Sequence, residues 1–392
     1  MIGITKDLTP HIVIVAGETS GDNLGAALIE ALRERLPNTR FSGIAGPRMR
    51  AAGCIAWESA EHLAVMGLTE VIQALPRLLR IRRDLIARVQ RERADIYVGI
   101  DFKEFNLGVA KRLKRVGVRT IQYVSPQVWA WRQARVRNIA DAVDAVLCLL
   151  PFEKEFYDRY LPIQSFDARF VGHPLADKIP SQVDQRAARE QLNLPADGRY
   201  VALLPGSRLG EVKRLAPDFA ATVAWIKKQR PAVRFVAAMA SNEIHRLFRD
   251  ALASTDVGDI VTLVDGAAPT VLAACDATLL TSGTATLEAL LTKRPMVVVY
   301  RADRLTTWIF AIFRLMKAPF FSLPNLLAGR QIVPEYFNSE VTADTLGPAV
   351  LEQLERSDRS ELIRVFDEIH RTLRRDASRQ AAQAVIDHLP KT

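Results

Sequence analysis

The feature that most constrains this chain is an alternation of form. Short β-branched runs alternate with amphipathic stretches, and turns rich in Gly, Ser, Thr or Pro join them. Strands are predicted over 11–16, 41–45, 96–100, 120–124 and 145–149, with helices over 24–36, about 75–93, 107–116 and 133–140. Near Gly172 the pattern breaks into His173-Pro174, Ile179-Pro180 and a polar run. It then restarts, with strands over 200–204, 234–238, 260–264, 277–281 and 296–300, and helices over 211–228, 243–253 and 269–274 between them. Apolar runs of strand length separated by helices imply parallel sheets covered on both faces. The fold class is therefore α/β, with two Rossmann-like units. The expected boundaries are 1–174, 175–345 and a charged helical segment, 346–392. Open sheets of this kind bind ligands outside the carboxyl ends of their strands, so the expected site is a cleft between two such sets of ends.

Composition excludes several classes. The three cysteines, Cys54, Cys148 and Cys275, lie far apart and form no CxxC pair; neither a disulfide framework nor a zinc knuckle is indicated, and a reducing cytoplasm fits. Lys6 and Asp7 precede only a short apolar run, which reads as a strand and not a signal peptide. No stretch reaches the roughly 18 uncharged apolar residues of a membrane span. Net charge is +9, which suits an anionic membrane surface or phosphorylated substrates. No nucleic-acid module is present. Seven arginines, at 77, 80, 82, 83, 88, 91 and 93, share one helical stretch with Leu78, Leu79, Ile81, Leu85, Ile86 and Val89, and eight cations fall between Leu107 and Ala140 with no acidic residue. Either these are solvated helix faces, or they face anionic lipid. The apolar pieces 63–68 and 305–313 are further candidates for lipid contact.

Six motifs carry candidate chemistry. After the first strand, Glu18, Thr19 and Ser20 in GETSGD form a turn for an oxygen-rich ligand, or an ordinary βα turn with Asp22 as cap. Asp101, at the carboxyl end of a strand, is placed to take a proton from an acceptor hydroxyl; Glu104 is its rival. Trp129, Trp131 and Arg132 follow a Pro turn, for packing against a sugar or acyl group. Gly206, Ser207 and Arg208 in LPGSR supply backbone N–H groups and a guanidinium suited to a diphosphate. Ser282, Gly283 and Thr284 open a helix to a phosphate, and Glu288 lies where ribose hydroxyls would reach it. Asn325 and Arg330 lie in a 322–331 loop able to close on a ligand. No DxD pair occurs, so a metal-held diphosphate is not indicated; HExxH, GxSxG and Walker A motifs are also missing, and no cofactor is expected.

Together these motifs resemble the lipid-A-disaccharide synthase family, inverting glycosyltransferases of GT-B architecture. The resemblance runs from His11 to Val385. It rests on VAGETSGD at 15–22, AGPRM at 45–49, AVMG at 64–67, VGID at 98–101, YVSPQVWAWR at 123–132, LPFEKEFYD at 150–158, GHP at 172–174, LPGSR at 204–208, SGTATLE at 282–288 and SLPNLLAGR at 322–330. It implies that UDP-2,3-diacylglucosamine is the donor and 2,3-diacylglucosamine 1-phosphate the acceptor. The products would be a β-1,6-linked disaccharide 1-phosphate and UDP. It also implies a homodimer exchanging C-terminal parts, peripheral on the cytoplasmic face of the inner membrane. The chain departs from the family pattern at Phe102-Lys103-Glu104, where a small residue, Pro and Asp are usual. Rival readings are a UDP-N-acetylglucosamine 2-epimerase and a non-catalytic nucleotide-sugar or lipid binder.

Overall fold

In the computed structural model, residues 9–63, 68–131, 133–161, 166–302 and 319–390 are described. The chain divides into two compact units, Met1–Asp177 with Leu373–Thr392, and Lys178–Thr372.

The first unit is built on a seven-stranded parallel sheet. Its strands are β1 (His11–Ala16), β2 (Arg40–Ala45), β3 (Ile55–Ser59), β4 (Ile96–Ile100), β5 (Arg119–Tyr123), β6 (Ala145–Cys148) and β7 (Asp167–Phe170), in the order β3-β2-β1-β4-β5-β6-β7. Strand β1 shows why the sheet needs helices on both faces. Ile12, Ile14 and Ala16 enter one core with Leu28, Ile29 and Leu32 of the Thr19–Arg35 helix. Val13 and Val15 enter the other with Val89, Val109 and Leu113. Each Val, Leu or Ile among them removed from water contributes roughly 1.5–3 kcal/mol. The Ala377–His388 helix joins the first core through Ala381, Ala384 and Val385, so the end of the chain covers its beginning.

The second unit repeats the scheme. Strands β8 (Arg199–Leu204), β9 (Val233–Met239), β10 (Val261–Asp265), β11 (Ala277–Thr281), β12 (Met296–Tyr300) and β13 (Glu335–Phe337) run β10-β9-β8-β11-β12-β13, all parallel. Helix Ala343–Glu355 packs Leu346, Val350 and Leu354 into its core.

Three strands, β3, β7 and β13, are not expected from the sequence. All three are sheet edges. Helices also begin earlier than expected. Thr19–Arg35 and Lys103–Arg115 start almost directly after β1 and β4, so ETSGD and KEFN form first helical turns. The 322–331 segment is likewise not a long loop: it holds the Leu323–Ala328 helix, entered at Ser322 and ended by Gly329 at φ 65°.

The basic Leu68–Arg91 helix is amphipathic, yet much of its apolar face serves the protein's own core. Leu85 and Val89 are buried, and Leu78, Ile81 and Ile86 pack against the same cluster. Leu75 and Leu79 are left 49% and 43% exposed, beside the exposed Arg77, Arg80 and Arg83. The 305–313 piece and most of 63–68 lie outside the described residues. No helix among the described residues is long and apolar enough to cross a membrane.

Candidate active site

In each sheet the strand order reverses direction at one point, between β1 and β4 and between β8 and β11. Such a switch point opens a crevice at the carboxyl ends of the two strands. Four of the six sequence motifs sit there.

In the first unit the β1 turn and the β4 turn touch. A Cβ added at Gly17 would lie 2.8 Å from the Phe102 ring. Glu18, Thr19 and Ser20 are exposed at the start of the following helix, where free N–H groups attract anions. Asp22 is not the cap of its own helix. It is buried, and its Oδ1 accepts from the N–H groups of Gly46 (2.9 Å) and Met49 (3.0 Å), its Oδ2 from Arg48 (2.8 Å). It thus caps the Pro47–Ala51 helix, and joins the ETSGD and AGPRM motifs into one support.

Asp101 and Phe102 both adopt left-handed backbone, with φ of 48° and 32°. Non-glycine residues hold this conformation only when their surroundings impose it. Here the Asp101 carbonyl accepts from Gln122 Nε2 (2.9 Å) and Asn106 Nδ2 (3.1 Å), and the Asp101 N–H donates to the Tyr123 carbonyl (2.9 Å). Asn106 also donates to the Ile100 carbonyl (3.1 Å) and accepts from the Tyr97 hydroxyl (2.8 Å). Gly99 leaves room for it, since a Cβ there would stand 2.7 Å from Asn106. Asn106 and Gln122, both buried, are positioning residues; Asn106 ends the stretch from Gly99 that carries Asp101, whereas Gln122 lies in no motif. The signal of Gln122 in the sequence is slight: a single amide within a strand.

The Asp101 side chain is thereby held out at the exposed tip of the turn. Its carboxyl group is pushed up from the ordinary aspartate range. Desolvation by the surrounding protein is the largest cause; the Lys103 charge and the Phe102 N–H pull the other way, and Glu104 adds to the rise. A carboxylate with a raised pKa is a better proton acceptor at neutral pH. Trp129 is half-buried and stands edge to face with Phe152, ring centres 4.8 Å apart, so its ring packs into the core behind the turn. The side chain of Trp131 and the whole of Arg132 lie outside the described residues.

In the second unit, the turns after four strands enclose one cavity of about 430 Å³. Gly206, Ser207 and Arg208 come from the β8 turn, and Ser282, Gly283, Thr284 and Glu288 from the β11 turn. The ends of β9 and β10 add Met239 and Gly266. Gly206 has φ 134° and Gly283 φ 149°, values that exclude side chains and turn the chain sharply into the Leu209–Gln229 and Thr284–Leu291 helices. Both helix N-termini adjoin the cavity, which suits it to an anion. Arg208 has a side chain 81% exposed and one weak tie, 3.1 Å to Glu211, so it is available to a ligand. Glu288, half-buried at the inner end, has its carboxyl pKa raised by burial.

Asn325 and Arg330 do not line this cavity. Asn325 is buried, donates to the Val333 carbonyl (2.9 Å) and Glu335 Oε1 (2.7 Å), and accepts from the N–H groups of Ile332 and Val333. Glu335 also accepts from Phe321 and Ser322, and Ser282 Oγ donates to the Phe321 carbonyl (2.7 Å). The SLPN segment is therefore tied to the β11 turn. Arg330 is exposed and pairs with Glu361 at 3.1 Å.

Comparison with known proteins identifies the family and the fold. The family described as lipid-A-disaccharide synthetase matches residues 12–385. A lipid-A-disaccharide synthase of Alkalilimnicola ehrlichii is 51% identical over 96% of this chain and 98% of its own. Among solved structures, the kitacinnamycin glycotransferase aligns over 98% of this chain and 100% of its own, with TM-score 0.63 and 17% identity. The UDP-GlcNAc 2-epimerase of Neisseria meningitidis, bound to UDP-GlcNAc, aligns over 96% and 100%, with TM-score 0.63 and 11% identity. At such identities the structures share the fold alone, whereas the sequence match spans both sheets and all the motifs, and by it this chain belongs to the lipid-A-disaccharide synthase family of GT-B glycosyltransferases.

Proposed function

We propose that the enzyme transfers diacylglucosamine from UDP-2,3-diacylglucosamine to the 6-hydroxyl of 2,3-diacylglucosamine 1-phosphate, with inversion. Family membership makes it a glycosyltransferase of lipid A disaccharide synthesis; the assignment of steps to residues is our reading. Asp101 accepts the proton of the acceptor hydroxyl as its oxygen attacks the anomeric carbon of the donor. The bond from that carbon to the β-phosphate breaks, and UDP leaves with the electron pair. Arg208 and the N–H groups at Gly206, Ser207, Gly283 and Thr284 take up the negative charge of the diphosphate, while Ser282, whose N–H donates to the Val299 carbonyl, holds the turn in place, and Glu288 accepts from the ribose hydroxyls. Asn325 acts on the donor side indirectly, by holding the segment that is tied to the β11 turn. Glu18, Thr19 and Ser20 bind the acceptor sugar, with Trp129 as support. The observation that carries this reading is the second-unit cavity, where two helix N-termini and an exposed guanidinium meet. Incubation with both acylated sugars tests it: disaccharide 1-phosphate and UDP should appear in equal amounts. Hydrolysis or epimerisation of the donor without disaccharide would overturn it.

Activity is expected to persist in excess chelator, because Arg208 and the backbone N–H groups supply the charge stabilisation a divalent ion would otherwise give. Turnover lost on chelation and restored by magnesium would refute this.

We further propose a homodimer on the inner face of the inner membrane. The exposed Arg77, Arg80 and Arg83 beside Leu75 and Leu79 support a reversible membrane contact. Each basic residue near an anionic surface contributes about 1 kcal/mol, screened by salt. Wild type should float with anionic liposomes at low salt and partly release at high salt. An Arg80→Glu, Arg83→Glu variant should bind at least tenfold less; equal flotation of the two would exclude this face.

A further inference from the structure

A second concavity, of about 350 Å³, lies in the first unit beside the Asp101 turn. It is a groove between the Lys103–Arg115 helix and the Val136–Ala142 helix, closed at one end by Pro126, Gln127 and Val128. Lys103, Lys111 and Arg135 line it with a single acidic residue, Glu104, and the amides of Gln127 and Asn138 complete its polar rim. Leu107, Val128 and Ile139 form an apolar wall.

The three cations have no hydrogen bond or ion pair among the described residues. Their neighbour Lys114 behaves differently. Its ammonium donates to the carbonyls of Ala140 (2.9 Å) and Val143 (2.7 Å) and pairs with Asp144 at 3.4 Å, locking the helix to the chain beyond it. One lysine of this helix is thus consumed by the fold, while Lys103 and Lys111 face the groove unspent. Gathering three positive charges against one negative in a concavity raises the energy of the empty protein and concentrates anions there. The groove also adjoins the reacting centre: Lys103 follows Asp101 by two residues, and its charge acts on the Asp101 carboxyl group.

We propose that this groove is the subsite for the phosphate monoester of the acceptor, held by Lys103, Lys111 and Arg135 with Asn138. The sugar ring rests on the apolar wall, and its 6-hydroxyl is thereby directed to Asp101. The inference rests on the reaction proposed above. It adds a specificity element: the enzyme selects the 1-phosphorylated acyl sugar over the same sugar without phosphate, which gives directionality, since the UDP-linked donor cannot place a monoester there.

The test compares wild type with a Lys111→Ala, Arg135→Ala variant on two acceptors, diacylglucosamine 1-phosphate and the same sugar lacking the phosphate. Removal of two charge-assisted hydrogen-bonding partners should raise KM for the phosphorylated acceptor about 10- to 100-fold. KM for the other acceptor and for the donor should stay within about twofold, so the preference collapses. A Lys111→Arg, Arg135→Lys variant, which keeps both charges, should keep most of the preference, separating charge recognition from packing. A preference unchanged in the alanine variant overturns the proposal. So does a variant that loses binding to phosphatidylglycerol vesicles while keeping its acceptor preference, because the cluster would then serve lipid headgroups. If wild type forms no disaccharide, the reaction itself is misassigned. Titration of wild type and the alanine variant with glucosamine 1-phosphate and with glucosamine, followed by NMR without donor, still decides the groove: equal shifts for the two proteins overturn it.

Discussion

An Asp101→Asn enzyme is expected to lose about 10²- to 10⁴-fold in turnover, the usual contribution of a general base. UDP affinity should be retained, because the residues proposed to hold UDP belong to the other sheet. The fold should not suffer. The carboxyl pKa of Asp101 is raised in the folded chain above its ordinary 3.8. The folded state then binds more protons than the unfolded state as pH rises through the window above 3.8, so stability falls across that window. At neutral pH the ionised side chain therefore opposes folding, and an amide removes the opposition. Asn also tolerates the left-handed backbone at φ 48°. Thermal unfolding at pH 7 should give a Tm equal to or above that of wild type. The acid limb of kcat/KM in wild type should lie above the ordinary aspartate range and vanish in the variant. Near-normal turnover would transfer the role to Glu104, which Glu104→Gln then tests. Inactivity accompanied by a fall in Tm would point instead to a damaged turn.

Arg208→Ala should weaken UDP binding roughly 10- to 100-fold, corresponding to about 1.5–3 kcal/mol for a charge-assisted hydrogen bond. Turnover should fall further, since charge grows on the diphosphate as UDP departs. Among the described residues, the Arg208 guanidinium pairs only with Glu211, at 3.1 Å. An exposed pair of this kind contributes at most about 1 kcal/mol, so folding should be nearly unaffected. Calorimetric titration with UDP separates binding from turnover. Arg208→Lys should recover only part of the affinity, because an ammonium cannot make the paired hydrogen bonds of a guanidinium. Unchanged UDP affinity in Arg208→Ala would remove this residue from the donor site.

The legibility of this protein follows burial. Strands β1, β4, β8 and β11 are covered on both faces, so they read in sequence as mostly apolar runs without alternation, and the two-sheet architecture follows from them. The edge strands β3, β7 and β13 have side chains mostly half-exposed. Sequences such as IAWES, DARF and EYF are held in the sheet by pairing with a neighbour, and a local pattern carries no record of that neighbour. The same division applies to the site. The turns of LPGSR and SGTATLE are legible because tight turns beside helix starts demand Gly, Ser and Thr locally, and Asp101 is legible from its place after a strand.

What only the tertiary structure decided depends on partners distant in the chain. Asp22 caps the helix at Pro47–Ala51 and not its own. Asn106 and Gln122 hold Asp101 in a strained turn. Asn325 closes a buried network with Glu335, and the basic helix spends Leu85 and Val89 on the core. The end of the chain, Ala377–His388, covers the core behind β1. Composition and spacing determined the fold class, the two units and the turns at the strand ends, because burial of a strand on both faces and a tight turn beside a helix start each demand particular residue types locally. Which polar side chains serve the scaffold and which remain free for a ligand was decided by packing between segments, because a hydrogen bond or an ion pair exists only once folding has brought both of its partners together.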